Sequence, residues 1–286
     1  MRTTVLALIL AMGCLPLAAT AQTDAEDIAA TIQAFAQAAQ AGDAGAVGEL
    51  IADPFAARID PMDELHGRDS FLSMVAEEPA PPFSLGEFEP WVGDGAAYLV
   101  APIELDDEGG VIESIDLAAV LLHTEERWKL AAAAFILTLD EESPQAAEPL
   151  AMRPEMEEKL TEYSQQLQAA AVNRDMLEFF KLCHEDAVLG ERDYATGEFR
   201  LTTGGEMVDM IEGLGEDLPG YIPADNPDPS VELGFGTAMT AYNMNIVEAH
   251  GTAHPVRTVA IMSYSPDQQG GGQWWIIAAF QIPLPE

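Results

Sequence analysis

From residue 28 to residue 51 the apolar positions recur in steps of three and four: Ile28, Ile32, Phe35, Ala39, then Val47, Leu50 and Ile51. That period belongs to helices that bury one face. It predicts a helix over 24–41. Gly42-Asp43 interrupts the pattern, and Asp43 is placed to cap a second helix running through Ile51. Pro54 ends that helix, a short strand over 55–59 follows, and a third helix is expected over 69–76. Pro79-Ala80-Pro81-Pro82 admits neither helix nor central strand. Beyond it the pattern becomes that of strands, over 83–92, 95–105, 111–123 and 126–138, with a hairpin at 106–110.

The same order returns at a shift of 132 residues. Ile28, Ile32, Phe35, Ala39, Asp43, Val47, Leu50 and Ile51 fall on Leu160, Ser164, Leu167, Ala171, Asp175, Phe179, Leu182 and Cys183. Pro154 opens a helix to Ala171, Asp175 caps one through His184, and a third is expected over 206–214. Pro219, Pro223, Pro227 and Pro229 precede strands over 231–248, 253–264 and 273–282. Both halves end on a tryptophan-anchored strand. Trp128 falls on Trp275 to within a residue or two, and Tyr98 takes a place like that of Tyr242. Such a period marks a domain followed by its diverged copy. The acidic, proline-bracketed stretch after Leu139 reads as a linker. The expected division is a signal over 1–21, domains over 22–139 and 153–286, and a linker over 140–152.

The signal rests on Arg2, an apolar run from Val5 to Met12 and the small residues of Ala19-Thr20-Ala21. It implies a periplasmic or secreted protein with no membrane insertion after cleavage. Gly13-Cys14 leaves a lipoprotein alternative, acylated at Cys14, against which Ala11 and the short preceding stretch count. Of the two cysteines, Cys14 lies in the signal, so no intramolecular disulfide can form in the mature chain. Cys183 reads as a small core residue.

The sequence holds 49 Asp and Glu against 12 Lys and Arg, a net charge of −37. Nucleic acid needs a basic face and is excluded as a partner, as is docking on anionic lipid. The acids are spread along the chain, which fits a hydrated surface better than a charged tail. Hydrophobic residues at 48% are enough for a packed core.

Several short stretches together carry a resemblance. Ala41-Gly42-Asp43-Ala44 and Asn173-Arg174-Asp175-Met176 enter the second helix of each half. Cys183-His184-Glu185-Asp186-Ala187-Val188-Leu189 reads as a helix exit into the first strand. Gly67-Arg68-Asp69 and Gly204-Gly205-Glu206 read as turns into the third helix, and Trp128 and Trp275 as starts of the final strand. In this order they resemble the nuclear transport factor 2-like (NTF2-like) fold, the cone shared by SnoaL-like polyketide cyclases and ketosteroid isomerases. The resemblance implies an α+β protein of two tandem cone-shaped domains, each three N-terminal helices on a curved antiparallel sheet. It also implies pairing through the outer face of the sheet, here internally as a pseudo-dimer. The apolar runs 131–137 and 276–282 support burial of that face.

A concave apolar cone suits a small ligand. The family's isomerases use a carboxylate base beside an oxyanion site, but no such constellation can be matched position by position. In the second half Tyr163, His184, Asp186, Tyr194, Tyr242 and His254 are candidates to line the cone; in the first, Arg58, Asp60, His66 and Tyr98. Tyr98 and Tyr242 read as core residues with hydroxyls at the pocket mouth, or as ligand contacts. His184-Glu185-Asp186 reads as an acid–base dyad, or as a histidine at a helix C-terminus favoured by the dipole. Glu248, His250 and His254 have metal-ligand chemistry, but Gly251 puts them in a turn rather than on a helix, so no metal and no cofactor is expected. The expected function is noncatalytic binding of a small apolar ligand or a partner. The alternatives are a SnoaL-like isomerase, cyclase or dehydratase working in the second cone, and a structural assembly protein. The second half carries more polar residues of useful type and is expected to be the functional one.

Overall fold

The computed structural model describes residues 15–59, 64–105, 112–124, 127–173, 175–193, 196, 198–214, 220–247, 251–266 and 272–284. The first half runs α1 (Leu15–Gln40), α2 (Ala44–Leu50), β1 (Ile51–Arg58), β2 (His66–Gly67), α3 (Arg68–Glu77), β3 (Phe83–Leu85), β4 (Trp91–Val92), β5 (Ala96–Leu105), β6 (Ile112–Thr124) and β7 (Arg127–Leu139). After a 3₁₀ turn (Pro144–Ala146) the second half runs α4 (Ala147–Asn173), α5 (Met176–Phe180), β8 (Cys183–Arg192), β9 (Phe199–Thr203), α6 (Gly204–Leu214), β10 (Gly220–Pro223), β11 (Ser230–Leu233), β12 (Thr237–Val247), β13 (Ala253–Pro266) and β14 (Gly272–Pro283).

Each half thus sets its helices before a long sheet, in the order the sequence led us to expect. Strand order is β2-β1-β7-β6-β5-β3 in the first sheet, with β4 also on β5, and β9-β8-β14-β13-β12-β10 in the second, with β11 also on β12. The sheets are mixed rather than wholly antiparallel. β1 runs parallel to β7, and β8 parallel to β14. A strand that follows the helices directly enters the sheet in the direction of the last strand.

The two capping aspartates behave alike. Asp43 accepts from the Ala46 amide at 2.9 Å and Asp175 from the Glu178 amide at 3.1 Å, with nearly identical backbone angles. Elsewhere the boundaries move. The stretch expected as a linker is helical from Ala147, with Pro154 inside α4. Asp175 starts a helix of only five residues, and the chain joins the sheet at Cys183, so Cys183 and His184 lie on β8 and not in a helix. Pairing of Cys183 with Ile276 on β14 wins over the helical spacing. Cys183 remains a buried core residue, as expected.

Alternation along the strands separates two faces. On β5 and β6, Ala97, Leu99, Ala101, Leu117, Ala119 and Leu121 face the first half's helices. Ala96, Ala118, Val120 and Leu122 face the other way and pack on Met239, Ala241, Val259, Ile261, Phe280 and Ile282. The two sheets therefore bury their outer faces on each other, as a pseudo-dimer within one chain. Alanines dominate the first half's side of this seam and let the sheets approach closely. Polar links reinforce it. The Phe235 amide donates to the Leu137 carbonyl at 2.7 Å, Arg192 pairs with Asp94, and Arg58 donates to the Tyr264 carbonyl at 3.1 Å. Gly234 is needed at the first of these, since a Cβ there would sit 2.7 Å from the Leu137 carbonyl oxygen.

A bulge in each final strand fixes their equivalence. Pairing slips at Ala131 in β7 and at Ile277 in β14, three residues after Trp128 and Trp274 respectively. Trp128 and Trp274 are buried in their own cones, so Trp274 and not Trp275 is the counterpart of Trp128. Among the described residues no helix is long and apolar enough to cross a membrane.

Candidate functional site

The two cones differ in how they are filled. In the second, the interior is occupied by Tyr163, Tyr264, Trp274, Met156, Met207, Met262 and Phe180. The Trp274 indole donates to the Met156 carbonyl at 2.8 Å, and Phe179 stacks on Tyr221 at 5.8 Å. The Tyr221 hydroxyl accepts from Gln281 at 2.7 Å. These long side chains close the cone on itself.

In the first, the facing positions are smaller, and a cavity of about 420 Å³ opens between the sheet and the helices. Phe35 and Ala39 from α1, Phe71, Met74 and Val75 from α3, and Ile103, Ile115, Leu117, Ala133 and Phe135 from the sheet line it. Its mouth is edged by Glu78, Pro79, Ala80 and Pro81. That proline segment is anchored, since the Ala80 amide donates to the Ala39 carbonyl at 3.2 Å and Gln40 donates to the Phe83 carbonyl at 2.8 Å. The volume and apolar lining are those of a small-molecule site. Among the described residues the enclosed, mainly apolar cavity is the first half's, whereas the sequence favoured the second on its polar content; the second half's larger space, about 580 Å³, is an open groove along α5, α6 and β8.

The residues singled out from sequence are not brought together. The Tyr163 hydroxyl is spent inside the fold, donating to the Leu182 carbonyl at 2.6 Å and accepting from the Ile276 amide at 2.8 Å. It ties α4 to the point where β8 joins β14, and burial pushes its pKa far up. Tyr98 lies on the seam face of β5, stacked on Trp91 at 5.5 Å and accepting from Arg257 Nε at 2.7 Å. Tyr242 lies on the opposite, cone face, beside Met244 and Val256, where burial raises its pKa. The two tyrosines are therefore not structural counterparts. Neither lines the large cavity.

His184 and Asp186 sit half-buried and exposed at the start of β8. His184 Nδ1 accepts from the Asp186 amide at 3.2 Å, its ring meets Trp275 edge-on, and the carboxylate is 3.9 Å away. They border open grooves, one of which reaches the second cone's core at Phe180, Cys183 and Val208. His254 is half-buried near the start of β13, opposite Ile246 and apart from the others. Asp60, Tyr194, Glu248 and His250 lie outside the described residues. Among the described residues no group of three or more His, Cys, Asp or Glu side chains is placed to hold a metal.

Of the first-half candidates, Arg58 turns its guanidinium through the seam to Tyr264 and Ser265, while His66 keeps to the cone. His66 pairs with Ala57, whose side chain lies in the first core. The aromatic and aliphatic residues that form the cavity carried no chemical signal in the sequence. Only their helical and alternating periods marked them, and those periods mark core as well.

No family model and no curated protein matches the chain. Solved structures do. An NTF2-like protein with a cystatin-like fold from Novosphingobium aromaticivorans shares 18% identity over 46% of this chain and 94% of its own, with a TM-score of 0.36. An NTF2-like protein from Cytophaga hutchinsonii shares 17% over 44% of this chain and 95% of its own, at 0.33. An NTF2-like protein of unknown function from Silicibacter pomeroyi shares 19% over 39% and 93%, at 0.31. Each is similar to a single cone's length of this chain.

Proposed function

We propose that this chain, a tandem of two NTF2-like cone domains, is an exported binding protein whose first cone holds a small apolar molecule and whose second cone is scaffold. The observation that carries the reading is the contrast between the cones: an apolar cavity of about 420 Å³ in the first and a Tyr-Trp-Met filling in the second. Burying an apolar ligand there gains roughly 25 cal/mol for each Å² removed from water. The basic start, apolar run and small residues before Gln22 support export. The acid–base alternative would rest on Glu191, whose carboxyl burial raises and whose charge reaches the buried Tyr221 in the second cone; it is the weaker reading because long side chains fill that cone. An assembly role with both cones filled is weaker too, since the first is open.

Native mass spectrometry of the protein taken from its host's exported fraction tests this. The reading expects an added mass that leaves on gentle activation and is absent after Ala133→Trp, which puts an indole into the cavity. A bare chain mass, with no uptake when apolar compounds are added, would remove the reading. A doubled mass would favour assembly in its place.

A further inference from the structure

The cavity wall carries few ionisable groups. Its described ionisable lining residues are Arg58, His66 and Glu78. Arg58 spends its guanidinium on the far face of the sheet, at the Tyr264 carbonyl and Ser265. Glu78 is exposed at the rim, just past the end of α3. His66 is half-buried on the cone face of β2, with Nδ1 3.0 Å from Ser70 Oγ. That bond occupies Nδ1 and leaves Nε2 as the ring's other polar atom.

We propose that His66 is the polar anchor of the first cone. The ligand it selects is an uncharged apolar molecule bearing one hydroxyl or carbonyl, and acidic amphiphiles are rejected. This rests on the cone-binding reading above. A carboxylate or sulfonate entering this wall would shed its hydration while the lining guanidinium, that of Arg58, has its Nη2 turned to the Tyr264 carbonyl and Ser265. It would do so beside Glu78, in a chain of net charge −37. A neutral ligand pays neither cost. Nε2 donates when Ser70 donates to Nδ1, and accepts when Nδ1 carries the proton. A hydroxyl satisfies either state, and a carbonyl the first. The Phe35 and Phe71 rings, 6.0 Å apart and within 8° of parallel, supply aromatic surface in the wall.

Three probes of one shape separate the terms: 2-naphthol, naphthalene and naphthalene-2-sulfonate, titrated by calorimetry into the full chain, its His66→Leu variant and its His66→Gln variant. The expected order is 2-naphthol about tenfold tighter than naphthalene, one hydrogen bond's worth, with the sulfonate weakest. The tenfold ratio should collapse in His66→Leu and persist in His66→Gln, which keeps a polar group at the site. Sulfonate binding as tightly as naphthol would overturn the inference, as would a ratio untouched by His66→Leu. In both cases cone binding itself would stand. Failure of naphthol and naphthalene alike to bind would overturn cone binding and this inference together.

Discussion

Arg257 lies at the seam between the two halves and is 5% exposed. Its Nε donates to Tyr98 Oη at 2.7 Å, and its Nη1 to Asn243 Oδ1 at 3.0 Å and to the Asp228 carbonyl at 3.1 Å. Its guanidinium lies 5.6 Å from the Trp91 ring centre and 5.5 Å from that of Tyr98. Trp91 and Tyr98 belong to the first half, the rest to the second, so one side chain joins both. A cation–π contact is worth about 2 kcal/mol where desolvated. Hydrogen bonds to a charged donor are worth about 1.5–3 kcal/mol. The Asp228 carboxylate, 68% exposed, adds under about 1 kcal/mol. Allowing for non-additivity, Arg257→Ala should cost about 3–5 kcal/mol, as removal of a buried charged partner commonly does. Arg257→Lys should recover only part, since a point charge cannot serve the same fork of acceptors. In urea unfolding, with a slope near 3 kcal/mol/M, the midpoint should fall by about 1–1.7 M. A double-mutant cycle with Tyr98→Phe should show a coupling of about 1–2 kcal/mol across the seam. A midpoint shift below about 0.3 M, or zero coupling, would refute the reasoning that this arginine holds the halves together.

Glu191 is half-buried, and burial raises its carboxyl above the usual value of 4.5 despite Arg200 opposite it. A carboxyl raised on folding favours the fold below its unfolded value and loses that contribution as pH rises through the folded one. Glu191→Gln should therefore stabilise the protein at pH 7 and lose that advantage below about pH 4; thermal melts at both pH values check this, and an advantage confined to low pH would contradict it. Cys183 is buried among Tyr163, Phe180 and Ile276, which pushes its thiol up to about 12. It should resist iodoacetamide at pH 8 in the folded protein and react fully in urea, and rapid labelling of the native chain would contradict this.

Much of the architecture was legible because the physics that writes it is local. Asp43 and Asp175 announced their helices by side-chain chemistry, and alternation announced the strands. The Trp274 match was missed because Trp274 and Trp275 stand side by side in the chain, and only burial in the cone tells them apart. His184 was misplaced for a different reason. Helical spacing continues through Cys183, but long-range pairing with Ile276 decides the outcome, and nothing in the adjacent residues encodes it. The site was the least legible part. Polar residues pointed to the second half, yet openness depends on volume. Tyr163 and Tyr264 fill one cone, while Ala39 and Ala133 leave room in the other. Tyr163, one of the hydroxyls the sequence offered for the cone, proved to be consumed in pinning a strand.

The most direct test of the central claim is fluorescence titration with N-phenyl-1-naphthylamine, an uncharged apolar probe, on three proteins: the unaltered chain, Ala133→Trp in the first cone, and Tyr242→Phe in the second half as a control. The account predicts saturable binding at one site per chain, abolished by Ala133→Trp and unchanged by Tyr242→Phe. Binding that survives Ala133→Trp would contradict it and move the ligand site out of the first cone.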